Sequence, residues 1–223
     1  MKKRIAFYIL VFMCLLVNFN IVYATPAILS ESAVLIDASS GTILAQKNAD
    51  KKMYPASLTK IMTAILAIEL GELTDVITVD DDTPFEIEGS HIALEPGEIL
   101  TLKDLLYALM LPSANDAASV IAKHYGGSLE NFVKMMNQKA KELGAYNTNF
   151  TNPHGLHDTN HYSTAADLAL ITKYTMENDT FRKIVSTTKY EIQTTNKKDE
   201  PRYFTTLNKL IYNTSYNQIY VDG

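Results

Sequence analysis

Residues 55–70 read PASLTKIMTAILAIEL, and this stretch decides the architecture of the chain. A helix is expected to start just after Pro55 and to stop at Gly71, since these residue types favour such positions. Nearly every position between them is apolar, so no face of the helix is suited to water. The sequence therefore predicts a helix over 57–70 that is buried on all sides, with Ser57 at its amino-terminal end.

Further helices are predicted from hydrophobic periodicity and from capping residues. Thr101 with Asp104 and Thr164 with Asp167 resemble capping boxes, and Ser128 is a typical helix cap. The predicted helices run from 101 to about 111, from a break at 112–116 to about 125, over 128–143, over 164–177 and over 180–186.

Strands are predicted towards both ends of the chain. Ser32–Asp37 and Thr42–Gln46 flank a turn and are expected to pair as a hairpin. A short strand is expected at 76–79 and a longer one at 187–195, with an acidic surface excursion at 80–97 and a charged turn at 196–200. Strands first and last with helices between them predict an α/β (α+β) domain, with one mixed sheet and helices packed on it.

The amino terminus differs from the rest of the chain. Lys2, Lys3 and Arg4 precede an apolar run from Ile5 to Val17, and Val22-Tyr23-Ala24 has the small-residue spacing of a signal-peptidase site. The run is shorter than the roughly 20 residues that span a bilayer. We therefore expect a signal peptide over 1–24, a domain over 25–223, and export across the cytoplasmic membrane.

Charge and cysteine content exclude several function classes. The formal net charge of −5 argues against nucleic acid as a partner, because binding phosphates requires clustered Lys and Arg. The single cysteine, Cys14, lies within the predicted signal peptide, so disulfides and Cys-based metal sites are excluded. His154, His157 and His161 have spacings that could suit zinc, but a turn at 152–155 and the lack of a fourth ligand favour a structural loop. We expect neither a metal nor an organic cofactor.

Ser57 and Lys60 form an S-x-x-K pattern at the start of the predicted central helix. Residues three apart share a helix face, so the lysine amine can reach the serine hydroxyl. A serine is a poor nucleophile until a base takes its proton, and burial among apolar residues favours a neutral lysine. The helix amino terminus adds a positive dipole near a developing oxyanion. By itself the pattern is common, and its ordinary interpretation is a helix cap followed by a solvated lysine.

A second motif, Ser113-Ala114-Asn115, lies in the break between two predicted helices. A serine and an amide offered to the same cavity can relay a proton and orient the lysine. Taken alone, Ser113 or Asn115 is more simply a helix cap. Together with S-x-x-K, the motif fits the pair found in penicillin-binding proteins and β-lactamases.

The predicted hairpin, PASLTK, LMLPSANDAA (109–118) and NPHGLHDTNHYSTAADLA (152–169) together resemble low-molecular-weight penicillin-binding proteins, the serine D-alanyl-D-alanine carboxypeptidases of peptidase family S11. The resemblance spans about 33–223. It implies a β-lactamase/transpeptidase-like fold, with a mainly antiparallel sheet and a helical subdomain.

The resemblance also implies a role for each matching residue. Ser57 would attack the carbonyl between the terminal D-alanines of a peptidoglycan stem pentapeptide, and Lys60 would accept its proton. Ser113 would help to pass that proton to the leaving D-alanine, and Asn115 would hold the substrate backbone and Lys60. β-Lactam antibiotics would acylate the same serine.

The third motif of this family, K-T-G, is absent, and the sequence ends in Tyr220-Val221-Asp222-Gly223. In members of the family a Val-Asp-Gly of this kind precedes K-T-G. We therefore expect a chain truncated before that strand, without the remaining strands, the β-rich C-terminal domain and the amphipathic tail that would be its only membrane contact. Such a fragment is expected to expose a sheet edge and to be a poor or unstable enzyme.

Two alternative functions remain open at this point. A serine β-lactamase shares the S-x-x-K chemistry, but class A enzymes usually carry Asp where this chain has Ala114. They also use a glutamate to activate water, and no matching motif occurs between Gly144 and Tyr162. A non-catalytic penicillin- or peptidoglycan-binding module is the second alternative, and the missing K-T-G favours it.

Overall fold

A bundle of helices surrounded by short strand pairs makes up residues 28–83 and 88–212, which the computed structural model describes. The predicted signal peptide and the segment Tyr220–Gly223 lie outside the described residues. The helices are α1 Thr59–Leu70, α2 Leu102–Met110, α3 Asn115–Gly126, α4 Leu129–Glu142, α5 Ala165–Met176, α6 Asp179–Val185 and α7 Lys209–Tyr212. The strands are β1 Ala33–Ile36, β2 Ile43–Lys47, β3 Val76–Thr78, β4 Ile99–Thr101, β5 Lys189–Ile192 and β6 Arg202–Thr205. Among the described helices, none combines the length and apolar character needed to cross a bilayer.

Helix α1 is the centre of the molecule, because it packs against each of α2 to α6. Met62, Ala64 and Ile65 are at most 1% exposed, and each large apolar side chain buried in this way contributes about 1.5–3 kcal/mol. The prediction of a buried central helix is therefore confirmed, although Leu70 at its end is half exposed.

The start of this helix differs from the prediction by two residues. Ala56–Leu58 forms a 3₁₀ turn, and the α-helix begins only at Thr59. The amide of Leu58 donates to Pro55 O at 3.2 Å, and Ala56 has a φ of +49°. A backbone at positive φ cannot belong to a regular right-handed helix, so Ser57 lies in the tighter turn that precedes α1.

The predicted helix caps at Thr101 and Ser128 are both present. Thr101 accepts a hydrogen bond from the Asp104 amide, while the Asp104 carboxylate accepts one from the Thr101 amide, which completes a capping box at α2. Ser128 Oγ accepts from the Asn131 amide at 3.1 Å and caps α4. Such caps satisfy amides that would otherwise lack a partner at the first turn of a helix.

The cap of α5 is only half of the expected box. Thr164 Oγ1 accepts from the Asp167 amide at 3.0 Å, as predicted. The Asp167 carboxylate does not accept a hydrogen bond from the Thr164 amide, as a full capping box would require. It accepts instead from the Asn147 amide and the Thr148 hydroxyl, both at 2.7 Å. Asp167 therefore ties α5 to the segment that follows α4.

The described strands form three separate antiparallel pairs, β1–β2, β3–β4 and β5–β6. The expectation of one mixed sheet is wrong for this part of the chain. The first two pairs pack on different helices, with β1 on α5 and β4 on α2. Strand β5 is shorter than the predicted 187–195, and the sequence analysis predicts neither β4 nor β6.

The β1–β2 hairpin leaves Leu35, Ile43 and Leu44 at least 50% exposed. A groove of about 600 Å³ opens between β1 and α5, and its lining is mostly apolar. Ser57 and Lys60 do not line this groove. The two residues of the S-x-x-K pattern therefore lie outside this apolar groove.

The surface excursion predicted at 80–97 is confirmed for residues 88–91, which are exposed, but it is wrong for two positions further along the chain. Ile92 and Leu94 are buried, and their amides donate to the buried Asp116 carboxylate at 3.1 and 3.2 Å. A buried carboxylate must find hydrogen-bond donors, and this segment supplies them. Asp116 therefore holds this segment against the start of α3.

Glu98 is completely buried and connects the β5–β6 hairpin to the helical core. Arg202 contacts both of its carboxylate oxygens, at 2.8 and 2.9 Å, and Thr195 donates to it at 2.8 Å. Burial alone would raise the pKa of Glu98, but the hydrogen bonds from Arg202 and Thr195 outweigh burial and hold it below its ordinary value of 4.5. The ionised pair therefore stabilises the fold above about pH 4.5, and this contribution is lost as the pH falls through the lowered pKa.

Arg202→Met leaves the buried Glu98 carboxylate without its main partner, and we expect it to lower the free energy of unfolding by about 3–5 kcal/mol. Chemical denaturation at pH 7 measures this change. Arg182→Met is the matched control, because the ion pair of Arg182 with Asp179 is exposed and should contribute about 1 kcal/mol or less. Equal losses of unfolding free energy in the two variants would contradict the inference that Glu98 and Arg202 hold the β5–β6 hairpin to the helical core.

Candidate active site

The amine of Lys60 lies inside the protein, although lysine is normally a surface residue. The residue is 2% exposed. Its Nζ lies 2.6 Å from Asn115 Oδ1, 3.0 Å from the His154 carbonyl oxygen and 3.3 Å from Ser57 Oγ. Burial lowers the pKa of Lys60 to about 8, against the opposing effect of the Asp116 carboxylate. At this pKa about a tenth of the amine is neutral at pH 7 and about half at pH 8.

The three contacts of Lys60 Nζ differ in chemistry. The oxygens of Asn115 and His154 can only accept, so each takes one N–H from the amine. A neutral amine has two N–H groups and one lone pair, and the lone pair is then left for the hydroxyl of Ser57. The geometry is that of a base directed at one hydroxyl.

Ser57 itself lies at the surface. It is exposed, whereas Thr59 and Lys60 directly after it are buried. The segment before it is held in place by a two-way backbone bridge between Met53 and Ser163, at 2.8 and 2.9 Å. An exposed serine therefore lies directly beside the buried Lys60 amine.

Asn115, the first residue of α3, is held on both sides. Its amide N–H donates to Ser90 O and its side-chain Nδ2 donates to Glu88 O, both at 2.7 Å. These two bonds leave Oδ1 directed at Lys60, which is the contact expected from the sequence. A Cβ at Gly89 would lie 3.1 Å from Asn115 Nδ2, so the loop approaches this side chain closely.

Ser113 lies two residues before Asn115 and is half-buried. The cap of α3 is Ala114, so the interpretation of Ser113 or Asn115 as an ordinary helix cap is wrong. Ser113 has a φ of +63°, a conformation that is uncommon for residues other than glycine and that often marks functional sites. In the part of the chain that the structure describes, its hydroxyl makes no hydrogen bond. The structure therefore joins Ser57, Lys60 and Asn115 directly, whereas Ser113 lies two residues before Asn115 and makes no hydrogen bond to Ser57 or Lys60.

The His154 carbonyl is the part of the site that sequence reasoning missed. It belongs to a loop braced by Asn152, whose Oδ1 accepts from the Gly155 amide at 2.6 Å and whose Nδ2 donates to Leu156 O at 2.9 Å. A backbone carbonyl carries no signal in the residue type, so only the fold reveals that it faces Lys60. The sequence predicts a structural loop here, but it does not predict that the loop also supplies a hydrogen-bond acceptor for Lys60.

The same loop docks onto the first turns of α1. Thr63 Oγ1 donates to Pro153 O at 2.6 Å. Gly155 has a φ of +89°, and a Cβ on it would lie 1.9 Å from the carbonyl oxygen of Ala56. Only glycine allows the two backbones to approach this closely.

The three histidines near this loop have separate partners. His154 Nδ1 accepts from the Leu156 amide at 3.2 Å, and burial lowers its pKa to about 4. The ring of His157 packs edge-on against Tyr54, and His161 contacts Thr59. Among the described residues, no three His, Cys, Asp or Glu side chains are grouped as a metal site would require.

A family model described as D-alanyl-D-alanine carboxypeptidase, peptidase family S11, matches residues 20–223. The carboxypeptidase DacF of Bacillus subtilis is 39% identical over 187 residues, which are 82% of this chain and 47% of that protein. The carboxypeptidase DacA of Haemophilus influenzae is 39% identical over 154 residues, which are 66% of this chain and 39% of that protein. The chain thus spans about half the length, or less, of these relatives.

Solved structures share the fold. A point mutant of the Streptomyces K15 DD-transpeptidase superimposes with a TM-score of 0.79 at 30% identity, covering 84% of this chain and 78% of that one. Penicillin-binding protein 5 from Haemophilus influenzae gives 0.77 at 33% identity, covering 86% and 56%. The predicted transpeptidase-like fold class is therefore confirmed.

Gly155→Ala is expected to displace the loop from Ala56, because the added Cβ overlaps the Ala56 carbonyl. We expect a loss of about 3 kcal/mol or more in unfolding free energy, from positive-φ strain together with overpacking. Gly144→Ala is the control, since Gly144 has a φ of +83° with nothing within 4 Å of the new Cβ, and strain alone costs about 1–2 kcal/mol. Urea denaturation compares the two variants, and equal losses would contradict the close contact.

Proposed function

Because the chain belongs to peptidase family S11, the D-alanyl-D-alanine carboxypeptidases, we propose that it is a serine peptidase acting through an acyl-enzyme on Ser57. The substrate is the peptidoglycan stem pentapeptide, from which the terminal D-alanine is removed. One observation carries the proposal: the buried Lys60 amine meets two oxygens that only accept and one hydroxyl that can donate.

Acylation begins when Ser57 Oγ attacks the carbonyl carbon between the two terminal D-alanines. Its proton moves to the lone pair of Lys60 Nζ, and the resulting ammonium keeps oxygen neighbours for all three of its N–H groups. Negative charge develops on the substrate oxygen. The partial positive charge at the start of α1, together with the Ser57 amide, stabilises this oxyanion.

Collapse of the tetrahedral intermediate breaks the C–N bond and releases D-alanine. The leaving amine takes a proton that started on Ser57, and the Ser113 hydroxyl relays it from Lys60. Water then attacks the ester, again with Lys60 as base, which restores free Ser57. Asn115 holds the amine and the substrate backbone throughout.

β-Lactams follow the same first step. Their strained amide is attacked by Ser57, but the leaving nitrogen stays tethered to the acyl group. The arrangement needs no metal or organic cofactor, and we place its action outside the cytoplasmic membrane, where peptidoglycan lies.

Ser57→Ala is expected to abolish covalent labelling by penicillin, because the substitution removes the hydroxyl that Lys60 activates. Intact-protein mass spectrometry after incubation with benzylpenicillin detects the adduct. Ser186→Ala, at an exposed serine after α6, is the control and should label like the unaltered chain. An adduct that persists in Ser57→Ala would remove Ser57 from the role of nucleophile.

The rate of acylation is expected to follow the neutral fraction of Lys60. Because the amine acts as a base only when neutral, and its pKa is lowered to about 8, the rate should rise about tenfold per pH unit below pH 8 and level off above it. Second-order rates with a fluorescent penicillin between about pH 5.5 and 9.5 measure this, with circular dichroism to verify folding. A rise that continues towards the ordinary lysine value of 10.5 would show that the amine is not desolvated.

A further inference from the structure

His161 is a buried histidine that none of the steps above uses. It is 2% exposed and lies 102 residues from Thr59, yet its Nε2 is 2.8 Å from Thr59 Oγ1. Its Nδ1 lies 3.1 Å from both the amide nitrogen and the hydroxyl of Thr151. One imidazole therefore joins the residue before Lys60 to the residue before the loop 152–155.

These contacts decide which tautomer the ring adopts. The Thr151 backbone N–H can only donate, so Nδ1 must offer a lone pair. A neutral imidazole then carries its proton on Nε2, which donates it to Thr59 Oγ1. Burial lowers the pKa of His161 against the opposing effect of Asp158, so the ring is neutral at pH 7.

We propose that His161 is a positioning residue for the base: as the neutral Nε2–H tautomer, it fixes the loop 152–155 relative to the first turn of α1, so that the His154 carbonyl holds the Lys60 amine. This inference rests on the proposed function of Ser57 and Lys60. The hydrogen bonds of His161 connect Thr59 on the helix to Thr151, the residue directly before the loop. The His154 carbonyl lies three residues beyond Thr151.

The position of this carbonyl decides where the lone pair of Lys60 points. With Asn115 and His154 taking the two N–H groups, the lone pair is directed at Ser57. If the loop shifts, one N–H loses its acceptor and the amine rotates away from the hydroxyl. Misplacements of about 1 Å in such arrangements cost up to about 100-fold in rate.

The test uses two substitutions at His161 that each keep one half of its hydrogen bonding. His161→Gln places an amide donor near the position of Nε2, whereas His161→Asn places an oxygen acceptor near the position of Nδ1. We expect the limiting rate of acylation by a fluorescent penicillin to fall at least about 10-fold in His161→Asn and to recover to within about threefold of the unaltered chain in His161→Gln. The dissociation constant that precedes acylation should change little in either variant.

Thr59→Val removes the other partner of the link while keeping the shape of the side chain. It should lower the limiting rate as much as His161→Asn does, and the double variant should show no further loss, because both substitutions break one interaction. His124→Asn, at an exposed histidine on α3, is the control and should leave the rate unchanged. A purely structural role would reduce the amount of folded protein but not the limiting rate of the folded fraction.

The nitrogen NMR chemical shifts of His161 give a readout that does not depend on acylation. We expect them to show a protonated Nε2 and an unprotonated Nδ1 at pH 7. The inference is overturned if the ring is charged or protonated on Nδ1, if His161→Asn keeps the full limiting rate, or if the losses in the double variant multiply. When Ser57→Ala loses the adduct and His161→Asn reacts normally, the proposed function stands and only the positioning role falls. Failure of the unaltered chain to label at all would count against the proposed function instead.

Discussion

The desolvation of one amine, that of Lys60, is the constraint on which the site depends. Removing an ammonium from water is costly, and a protein reduces the cost by favouring the neutral form or by supplying hydrogen-bond partners. Here both occur, because burial lowers the pKa to about 8 while Asn115 and His154 supply two acceptors. The same burial that weakens the charge leaves a lone pair for Ser57.

The acceptors come from segments far apart in the sequence, and each is fixed by contacts of its own. Asn115 is held by the carbonyls of Glu88 and Ser90, and the neighbouring Asp116 binds the next part of that loop. The His154 carbonyl belongs to a loop braced internally and docked on α1. The fold therefore fixes the oxygens in advance, so that they need little reorganisation when charge appears on the amine.

Several features of the chain follow from the sequence because they depend on local patterns. The apolar run 61–68 required burial on all sides, and α1 contacts five other helices. Ser57 and Lys60 are three positions apart, a spacing that brings side chains together both in an α-helix and in a 3₁₀ turn. The capping signals of Thr101 and Ser128 were also reliable, since such caps involve only the first turn of a helix.

Other features arose only from tertiary contacts. The 3₁₀ turn at Ala56–Leu58, the burial of Ile92 and Leu94 and the separate strand pairs depend on neighbours that no local pattern reveals. The choice of the His154 carbonyl as second acceptor is the clearest case, because every residue has a carbonyl and only its position in space distinguishes this one. The sequence by itself thus pointed to Ser57 and Lys60 as the proposed nucleophile and base. The tertiary structure decided how the Lys60 amine is buried and which oxygens accept its hydrogen bonds, because those oxygens belong to distant segments.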